Sequence, residues 1–514
     1  MRTLLLAVLL VQLLVAHASA QCRCDHTLGL DVTTANGASL GIGPGDRVCV
    51  TSGARSFLRL EHFVGTAAEP ITVLNCGGVV DIRNTDRAYA LVIEDASAFV
   101  RVTGSGEEGV PYGFRVSAPD EEPYAGVGVW ILGRSTDIEV DHMEIYETGF
   151  AGLMAKTDPS CDDRPFWDGF VQRNTHLHHL WVHDTGGEGF YIGSTQSAGY
   201  NRMCSGAMVN IPAHFLEGVD VHDVRIEDTG WDGIQIGFAR RDCSFHDSVV
   251  HRVGLRGVEF QVQGLQIGSF SSCSVRRNDL RDGPAMGIIV LESGDSTFAD
   301  NVIARFAADG IYANPRMAPV ATWNFVHNTI VNSGGSAIRV FGGGDGIAAN
   351  NLVIGGAAST LSVPAGIMSM TNVFAANTGA AGVVGTDDFH LTDGASSRGV
   401  GTDLRALGYE LDLDRQARAA PPSVGAYEHM RDAPDAGPVD AGRLIITDDA
   451  FVDASVSITV DARVLVGVDA GTALAASSGC ACRVAPGATA SWLATWSLAA
   501  LGLCVSVRRR RTQR

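Results

Sequence analysis

Lysine is almost missing from this chain, and acidic residues outnumber basic ones. Lys156 is the only lysine, and 38 basic residues stand against 57 acidic residues, which gives a formal net charge of −19. This charge argues against nucleic acid as a partner. Only 18% of the 514 residues are charged and 7% are aromatic, whereas 61 are glycine. The composition favours tight turns between short apolar strands.

A ten-residue sequence occurs twice, as DTGGEGFYIG at 184–193 and as DTGWDGIQIG at 228–237. Apolar residues keep a fixed distance from its first glycine along much of the chain. Four positions before it lie Ile145, Val182, Ile226, Val250, Leu280, Ile303 and Ile330. Four positions after it lie Leu153, Phe190, Ile234, Val258, Ile288, Ile311 and Ile338, and two further on lie Ala155, Ile192, Ile236, Phe260, Val290, Ala313 and Val340. These columns predict short strands with alternate side chains pointing inward, joined by a glycine-bearing bend.

The repeating unit is about 20–30 residues long, and a unit of this size cannot bury an apolar face alone. Neighbouring units must therefore stack and share one core. The 3.6-residue period of helical repeats and the regularly placed leucines of leucine-rich repeats are both missing. The sequence predicts an all-β solenoid of parallel strands over residues 21–430.

Three asparagines, Asn278, Asn301 and Asn328, each precede a bend by six residues. Together with the apolar columns, they resemble the right-handed parallel β-helix family that includes pectate-lyase-like proteins. PGDRVCV (44–50) and GTAAEPITVLNCGG (65–78) resemble its opening coils, and DFHLTDGASSRGVG (388–401) with LDLDRQARAAPPSVGAYE (411–428) resembles its terminal segment. The resemblance covers roughly residues 40–428. It implies a right-handed β-helix whose asparagines bond backbone groups along the stack.

The two ends of the chain predict that the protein is located outside the cytoplasm. Arg2, the apolar run 4–16 and the small residues 18–20 form the pattern of a secretory signal peptide over residues 1–20. Residues 488–507 carry no charge and precede four arginines, so they predict a membrane-spanning helix with a cytoplasmic end. With SGCAC just before it, the segment 477–514 resembles the myxobacterial MYXO-CTERM sorting signal, which implies a secreted, cell-surface or outer-membrane protein. A plain single-span membrane anchor is the alternative.

Residues 431–476 are rich in Asp, Ala and Pro, with eight aspartates and two arginines between 432 and 469. This composition predicts an extended linker. Calcium binding is the alternative for these aspartates, although they lack the spacing of a known calcium loop.

The cysteines fit an oxidising compartment. Cys243 and Cys273 share a register in successive coils, where strands lie about 4.8 Å apart. That spacing permits either a disulfide or a stack of buried thiols. Cys161 and Cys204 lie in two inserted loops that they would tie together, and the four cysteines before residue 77 pair among themselves with open connectivity.

The two inserted loops, 156–174 and 194–215, leave the solenoid at the same point of the coil. They carry the candidate carbohydrate-binding residues Arg164, Trp167, Tyr200 and Arg202, because aromatic rings stack on sugars and arginines fork onto carboxylates. In the alternative, the aromatics pack the loops shut. An additional coil could also replace the second loop.

The bends beside these loops are rich in ionisable residues. Stacking would bring Asp184 near Asp228 and Glu188 near Asp232, and such repulsion needs relief from calcium, from Arg252 and Arg256, from a substrate or from raised pKa values. The candidate calcium ligands are Asp184, Glu188, Asp228 and Asp232. The candidate catalytic residues are Lys156, His183, Asp228, Asp232, His251 and Arg256. Solvated surface groups that pair along the stack are the alternative.

Two function classes follow from this reading. The first is a cell-surface protein that binds extracellular polysaccharide or serves as a rigid adhesive rod. The second is a polysaccharide lyase or glycoside hydrolase that acts on an acidic glycan, with calcium as a candidate cofactor. The sequence carries no catalytic motif, so it favours the first class.

Overall fold

The computed structural model of the chain describes residues 22–119, 125–161, 169–316, 320–355 and 360–429. The predicted signal peptide, the linker 431–476 and the segment 477–514 with its span 488–507 lie outside these residues. Within the described ranges, no helix is long and apolar enough to cross a membrane.

The chain forms a parallel β-helix, as the columns predict. Each coil runs through three stacks of parallel strands, which we call the first, second and third ladders. The first and second ladders belong to one 21-stranded sheet, and the third ladder is a separate 12-stranded sheet. Apolar side chains from all three ladders fill the interior.

Four long strands pass through both the first and the second ladder: Arg47–Arg55, Ile71–Arg83, Thr136–Thr148 and Val171–Thr185. The other strands of the first ladder are His26–Leu28, Ala98–Thr103, Phe215–His222, Ala239–His246, Cys273–Arg276, Ser296–Ala299, Thr322–Val326, Asp345–Ala349 and Ile367–Met370. Those of the second ladder are Phe114–Ala118, Arg225–Thr229, Val249–His251, Asp279–Gly283, Val302–Phe306, Thr329–Val331, Leu352–Ile354 and Val373–Ala375.

The third ladder consists of Thr34–Asn36, Leu58–Glu61, Tyr89–Glu94, Val127–Ile131, Leu153–Ala155, Phe190–Ile192, Ile234–Ile236, Leu265–Ile267, Ile288–Leu291, Ile311–Asn314, Ile338–Val340 and Leu361–Ser362. The helices of the described residues are short: two α-helices, Gly37–Leu40 and Thr378–Ala381, and one 3₁₀ helix, Arg405–Leu407.

The repeated ten-residue sequence is the bend between the second and third ladders. Its first glycines stack so tightly that a Cβ on Gly186 would lie 2.1 Å from the carbonyl oxygen of Gly149, and one on Gly230 would lie 2.2 Å from that of Gly186. No side chain fits such an approach. The residue four positions earlier faces the core: Ile145, Val182 and Ile226 pair in register and are fully buried.

One coil departs from the predicted register. Val258 and Phe260 do not lie in the core, and Phe260 is 73% exposed. Leu265 and Ile267 occupy their expected places, paired with Ile234 and Ile236. The prediction was wrong here because residues 255–262 extend the bend and carry apolar residues at the same spacing as the true strand.

Asparagines form a continuous buried stack between the first and second ladders. The side-chain amide of Asn301 donates to the Val275 carbonyl and to Asn328 Oδ1, both at 3.0 Å. Its own Oδ1 accepts from the backbone and side chain of Asn278 at 3.0 Å. The pattern continues to Asn351 and Asn372, so the resemblance correctly implied this stack and the sequence reading missed its last two members.

Four disulfides join cysteines of the described residues, and they include both candidate pairs. Cys243 and Cys273 are joined between paired positions of successive coils, 4.5 Å apart at Cα. Cys161–Cys204 ties the two inserted loops together. The remaining cysteines pair as Cys22–Cys76 and Cys24–Cys49.

The inserted loops differ in structure from each other. The strand Val171–Thr185 begins inside the range assigned to the first loop. The second contains an antiparallel hairpin, Tyr200–Cys204 and Ala207–Ile211, which pairs with neither sheet and therefore excludes an additional coil.

The segment after the last coil folds back onto the outside of the second ladder. Phe389 and Tyr427 pack in one apolar cluster with Val331 and Ile354. The fully buried Arg418 bonds Asp300 at 2.7 Å and also donates to backbone carbonyls of its own segment. This segment closes one side of the later coils.

The corrected register predicts unequal stability effects for two apolar substitutions. Leu265→Ala should lower the free energy of unfolding by about 2–5 kcal/mol, because it empties a fully buried position. Phe260→Ala should change it by no more than about 0.5 kcal/mol, because that ring is exposed. Denaturant unfolding of both variants measures the difference, and equal effects would contradict the register.

The asparagine stack predicts that Asn301→Ala destabilises the protein by about 1–3 kcal/mol for each buried group left unpaired, since the Asn278 N–H and the Val275 carbonyl both lose their partner. Asn201→Ala, in the exposed hairpin, is the matched control. Denaturant unfolding compares the two, and a loss in Asn301→Ala no larger than in the control would argue against the stack.

Candidate functional site

The ionisable bend residues occupy two separate positions of the coil. At the first position, Asp184, Asp228 and Arg252 have φ values of 53°, 53° and 55°, in the left-handed region. Asp tolerates this conformation better than most residues. Arg252 forks onto Asp228 of the preceding coil at 2.7 and 2.8 Å, and this hydrogen bonding lowers the pKa of Asp228. Arginine therefore relieves the charge repulsion here.

The two candidate histidines lie on the outer face of the second ladder. His183 Nδ1 is 2.7 Å from Asp184 and its Nε2 is 3.4 Å from Glu144. His251 Nε2 lies 3.6 Å from Asp279. Both therefore pair with carboxylates of their own or a neighbouring coil, as the surface-pairing alternative describes.

Glu188 and Asp232 occupy the second position, which is buried. They are 1% and 0% exposed. Asp232 Oδ1 accepts from the backbone N–H of Gln263 in the next coil at 2.6 Å. Asp309 does the same for Ser336 at 2.6 Å, so this column links coils through side chain to backbone bonds. Burial raises the pKa of Glu188 to about 7 and raises that of Asp232 well above its usual range.

The four candidate calcium ligands do not form a single group in the structure. Glu188 and Asp232 are neighbours at the buried position, as stacking predicts, whereas Asp184 and Asp228 lie at the first position. Among the described residues, a different set, Glu139, Asp141 and His178, brings its ligand atoms within 4.8 Å of one another, as do three of the disulfide-bonded cysteines. Arg101 Nε already lies 3.0 Å from Glu139 and 2.8 Å from Asp141. A guanidinium therefore provides the cation at this set.

Lys156 and several residues of the two inserted loops interact with one another. Burial disfavours the charge of Lys156, but Tyr191, Asp158 and Tyr200 outweigh it and raise its pKa. Its Nζ lies 3.1 Å from Asp158 and 4.2 Å from the Tyr191 ring centre. Arg202 lies over the Tyr200 ring and donates to the Pro159 carbonyl at 3.1 Å. These side chains fasten the loops to the solenoid.

The remaining candidates lie elsewhere. Arg256 crosses the bend glycines, since a Cβ on Gly186 would lie 3.0 Å from its Nη1 and one on Gly230 would lie 3.0 Å from its Cδ. Arg164 and Trp167 lie outside the described residues. The structure therefore divides the candidates into two groups. Lys156, Glu188 and Asp232 interact electrostatically as buried neighbours. His183, Asp228 and His251 lie apart from them, each beside another charged partner.

A groove of 680 Å³ lies over the outer face of the third ladder. Its lining includes Phe260, Gln261, Gln263, Gln266, Ser269, Met286, Ile289, Leu291, Asp309, Tyr312, Asn314, Arg316 and Arg339. Gln266, Ile289, Tyr312 and Arg339 form one outward row, one residue per coil. The exposed ring of Phe260 stands beside this row on the extended bend 255–262.

Polar groups are fixed around the groove. Arg339 is held by Asp309, with Nε 3.0 Å from one carboxylate oxygen and Nη2 3.1 Å from the other. The Asn314 amide donates to the Tyr312 hydroxyl at 3.0 Å. Aromatic and apolar surface with a few placed polar groups is the usual make-up of a ligand site, and 680 Å³ is within the usual range of volume. The groove is therefore a candidate ligand site.

Sequence reasoning missed this groove, although part of the signal was present. Ile289, Tyr312 and Arg339 each lie between two correctly assigned inward residues, so alternation already places them outside. Gln266 and Phe260 could not be found in the same way, because the extended bend shifted their coil out of register.

Comparisons with known proteins agree with the fold. Residues 205–378 match the family model described as right handed beta helix region. No curated protein matches the chain. The family match supports the predicted repeat resemblance, whereas the sorting-signal resemblance lies outside it and stays a prediction.

Solved structures with this kind of coil are similar at low identity. The pectate lyase Pel9A is 12% identical, with a TM-score of 0.47 over 79% of this chain and 97% of its own. An alginate lyase from Paenibacillus sp. str. FPU-7 is 17% identical, with a TM-score of 0.40 over 62% and 97%. The periplasmic alginate epimerase AlgG is 11% identical, with a TM-score of 0.38 over 68% and 85%. Nothing about activity follows from similarity at this level.

The buried Glu188 predicts a loss of stability as pH rises. Its pKa is 4.5 without burial and about 7 in the folded chain, so stability present below about pH 4.5 is lost progressively as pH rises toward 7. Glu188→Gln stays neutral and should lose less stability over this range. Unfolding midpoints across pH test this, with the exposed Glu259→Gln as control. Identical pH curves for wild type and Glu188→Gln would contradict the prediction.

Proposed function

We propose that the protein binds an extended polysaccharide along the groove over the third ladder. The observation that carries this proposal is the outward row Gln266, Ile289, Tyr312 and Arg339, beside the exposed ring of Phe260. Successive coils repeat at a fixed spacing, so the row offers one side chain per coil to successive units of a chain ligand. Phe260 and Tyr312 supply rings for sugar faces, and the amides and arginines supply donors for hydroxyl groups.

The floor of the groove favours a sugar over a peptide. Strands of the third ladder hydrogen-bond to neighbours in both adjacent coils, so their backbone groups are already used. A peptide strand needs a free sheet edge to add to. Recognition at this groove must therefore use side chains, and the net charge of −19 disfavours nucleic acid as the ligand.

We also propose that the protein works outside the cytoplasm. Four disulfides support export, because such bonds persist in oxidising compartments. The predicted signal peptide and the predicted span 488–507 would make it a secreted protein anchored at the cell surface. In that position the solenoid would hold polysaccharide close to the cell or act as an adhesive rod.

The burial of candidate catalytic residues favours a binding protein over an enzyme. Lys156, Glu188 and Asp232 are 7%, 1% and 0% exposed, so a glycan in the groove cannot reach them in this conformation. Asp228 is bound to Arg252. A lyase or hydrolase acting on an acidic glycan, with or without calcium, is the alternative, and it requires a catalytic set that these residues do not offer as placed.

The groove predicts that Phe260→Ala and Tyr312→Ala each weaken binding to a retained polysaccharide about tenfold, equivalent to about 1.4 kcal/mol. Affinity electrophoresis of the full chain through gels containing a panel of neutral and uronate polysaccharides measures the effect. Phe374→Ala, which removes a 54% exposed ring on the last coil, is the matched control.

Unchanged retention of both groove variants would move the binding site elsewhere. The same samples, incubated with uronate polysaccharide with and without calcium, test the alternative through the ultraviolet absorbance of unsaturated products. We expect retention without product. Product formation lost in Asp232→Ala would replace the binding proposal with a lyase.

A further inference from the structure

Three arginines surround one carboxylate near the beginning of three neighbouring strands of the first ladder. Arg173, Glu217 and Arg241 occupy paired positions of three successive coils. Arg240 is the neighbour of Arg241 and reaches the same carboxylate. We call Arg173, Glu217, Arg240 and Arg241 the arginine corner.

The corner carries more positive charge than its acid can neutralise. Glu217 receives Arg240 Nε at 2.7 Å and Arg241 Nη2 at 2.6 Å, and Arg173 Nε lies 3.4 Å away. Asp242 is 3.9 Å from Arg241 Nε and is 78% exposed, so it adds only a loose contact. With three arginines against Glu217 and Asp242, the corner is locally positive on a chain with a net charge of −19.

The arginines are accessible, whereas their carboxylate is not. The side chains of Arg173, Arg240 and Arg241 are 50%, 42% and 63% exposed, and that of Glu217 is 5% exposed. Each guanidinium has five donors. Glu217 therefore holds the three groups in place from below and leaves donors directed to solvent.

A short aromatic path connects the groove to the corner. Ser269 lines the groove, and its carbonyl accepts from the backbone N–H of Phe238 at 2.9 Å. Phe270 follows Ser269 in the chain and is 47% exposed. The centre of its ring lies 6.1 Å from the centre of the Phe215 ring. The guanidinium of Arg240 lies 4.8 Å from the centre of Phe215. A chain that leaves the groove past Ser269 therefore meets the corner next.

We propose that the arginine corner binds anionic substituents, carboxylate or sulfate groups, of the polysaccharide that occupies the groove. This inference rests on the proposed function. Arginine forks suit both anions, and Phe270 offers a ring face between the two sites. The groove then holds the sugar rings, and the corner selects chains that carry charge. Because the corner is exposed, salt should weaken its contribution.

The test compares three oligosaccharides of equal length by calorimetry on the full chain: a neutral one, its sulfated derivative and a uronate. We expect at least one anionic ligand to bind about tenfold tighter than the neutral one at low salt. Arg241→Ala and the double variant Arg173→Ala with Arg241→Ala should remove this preference and leave neutral binding unchanged. The sulfated and uronate arms show which anion the corner accepts.

Arg398→Ala is the control, because this arginine is 38% exposed and pairs with Asp393 far along the chain. Unchanged unfolding midpoints exclude misfolding of the variants. If neutral and anionic ligands bind equally well, and Phe260→Ala weakens their binding whereas the arginine variants do not, the proposal for the arginine corner is wrong and the proposal for the groove stands. Binding of none of the three ligands would overturn both proposals.

Discussion

Backbone hydrogen bonds between successive coils set the limits on every side chain in this structure. In parallel ladders each residue lies over its equivalent in the next coil, about 4.8 Å away. An apolar residue therefore stacks on an apolar one, which explains why Ile145, Val182 and Ile226 form one buried column. A polar residue must instead find a partner along the axis, and three solutions to this requirement occur here.

Each solution suits a different place in the coil. The buried asparagines bond to one another and to backbone carbonyls, because an amide both donates and accepts. At the bend position with left-handed backbone, an arginine can pair with the aspartate of the preceding coil, as Arg252 does with Asp228. The buried bend position uses an acceptor toward the next backbone N–H, as in Asp232. Outward residues can also take partners along the axis, as Glu217 does with Arg241, but they keep an exposed face that can build the groove and the arginine corner.

The sequence was informative where stacking alone decides the structure. The inward columns of the second ladder, the asparagine stack and the Cys243–Cys273 pair all follow from repetition. The repeat pattern predicted a wrong strand at residues 255–262, because Val258 and Phe260 have the spacing of inward residues although the strand begins later. At the ionisable bends, stacking does bring Asp228 and Asp232 close to other charges, and two of the predicted kinds of relief occur. Arg252 pairs with Asp228, and burial raises the pKa of Asp232. The sequence alone could not decide between these and calcium or a substrate, because neither composition nor spacing records burial.

The covalent links are distributed unevenly along the solenoid. Cys22–Cys76 and Cys24–Cys49 fasten the leading coils, and Cys243–Cys273 fastens a middle pair. In the part of the chain that the structure describes, no disulfide lies beyond Cys273, and the later coils depend on contacts such as Arg418–Asp300. A solenoid comes apart in units of neighbouring coils. Under a pulling force along the axis, the trailing coils would peel away first and the leading end would resist longest.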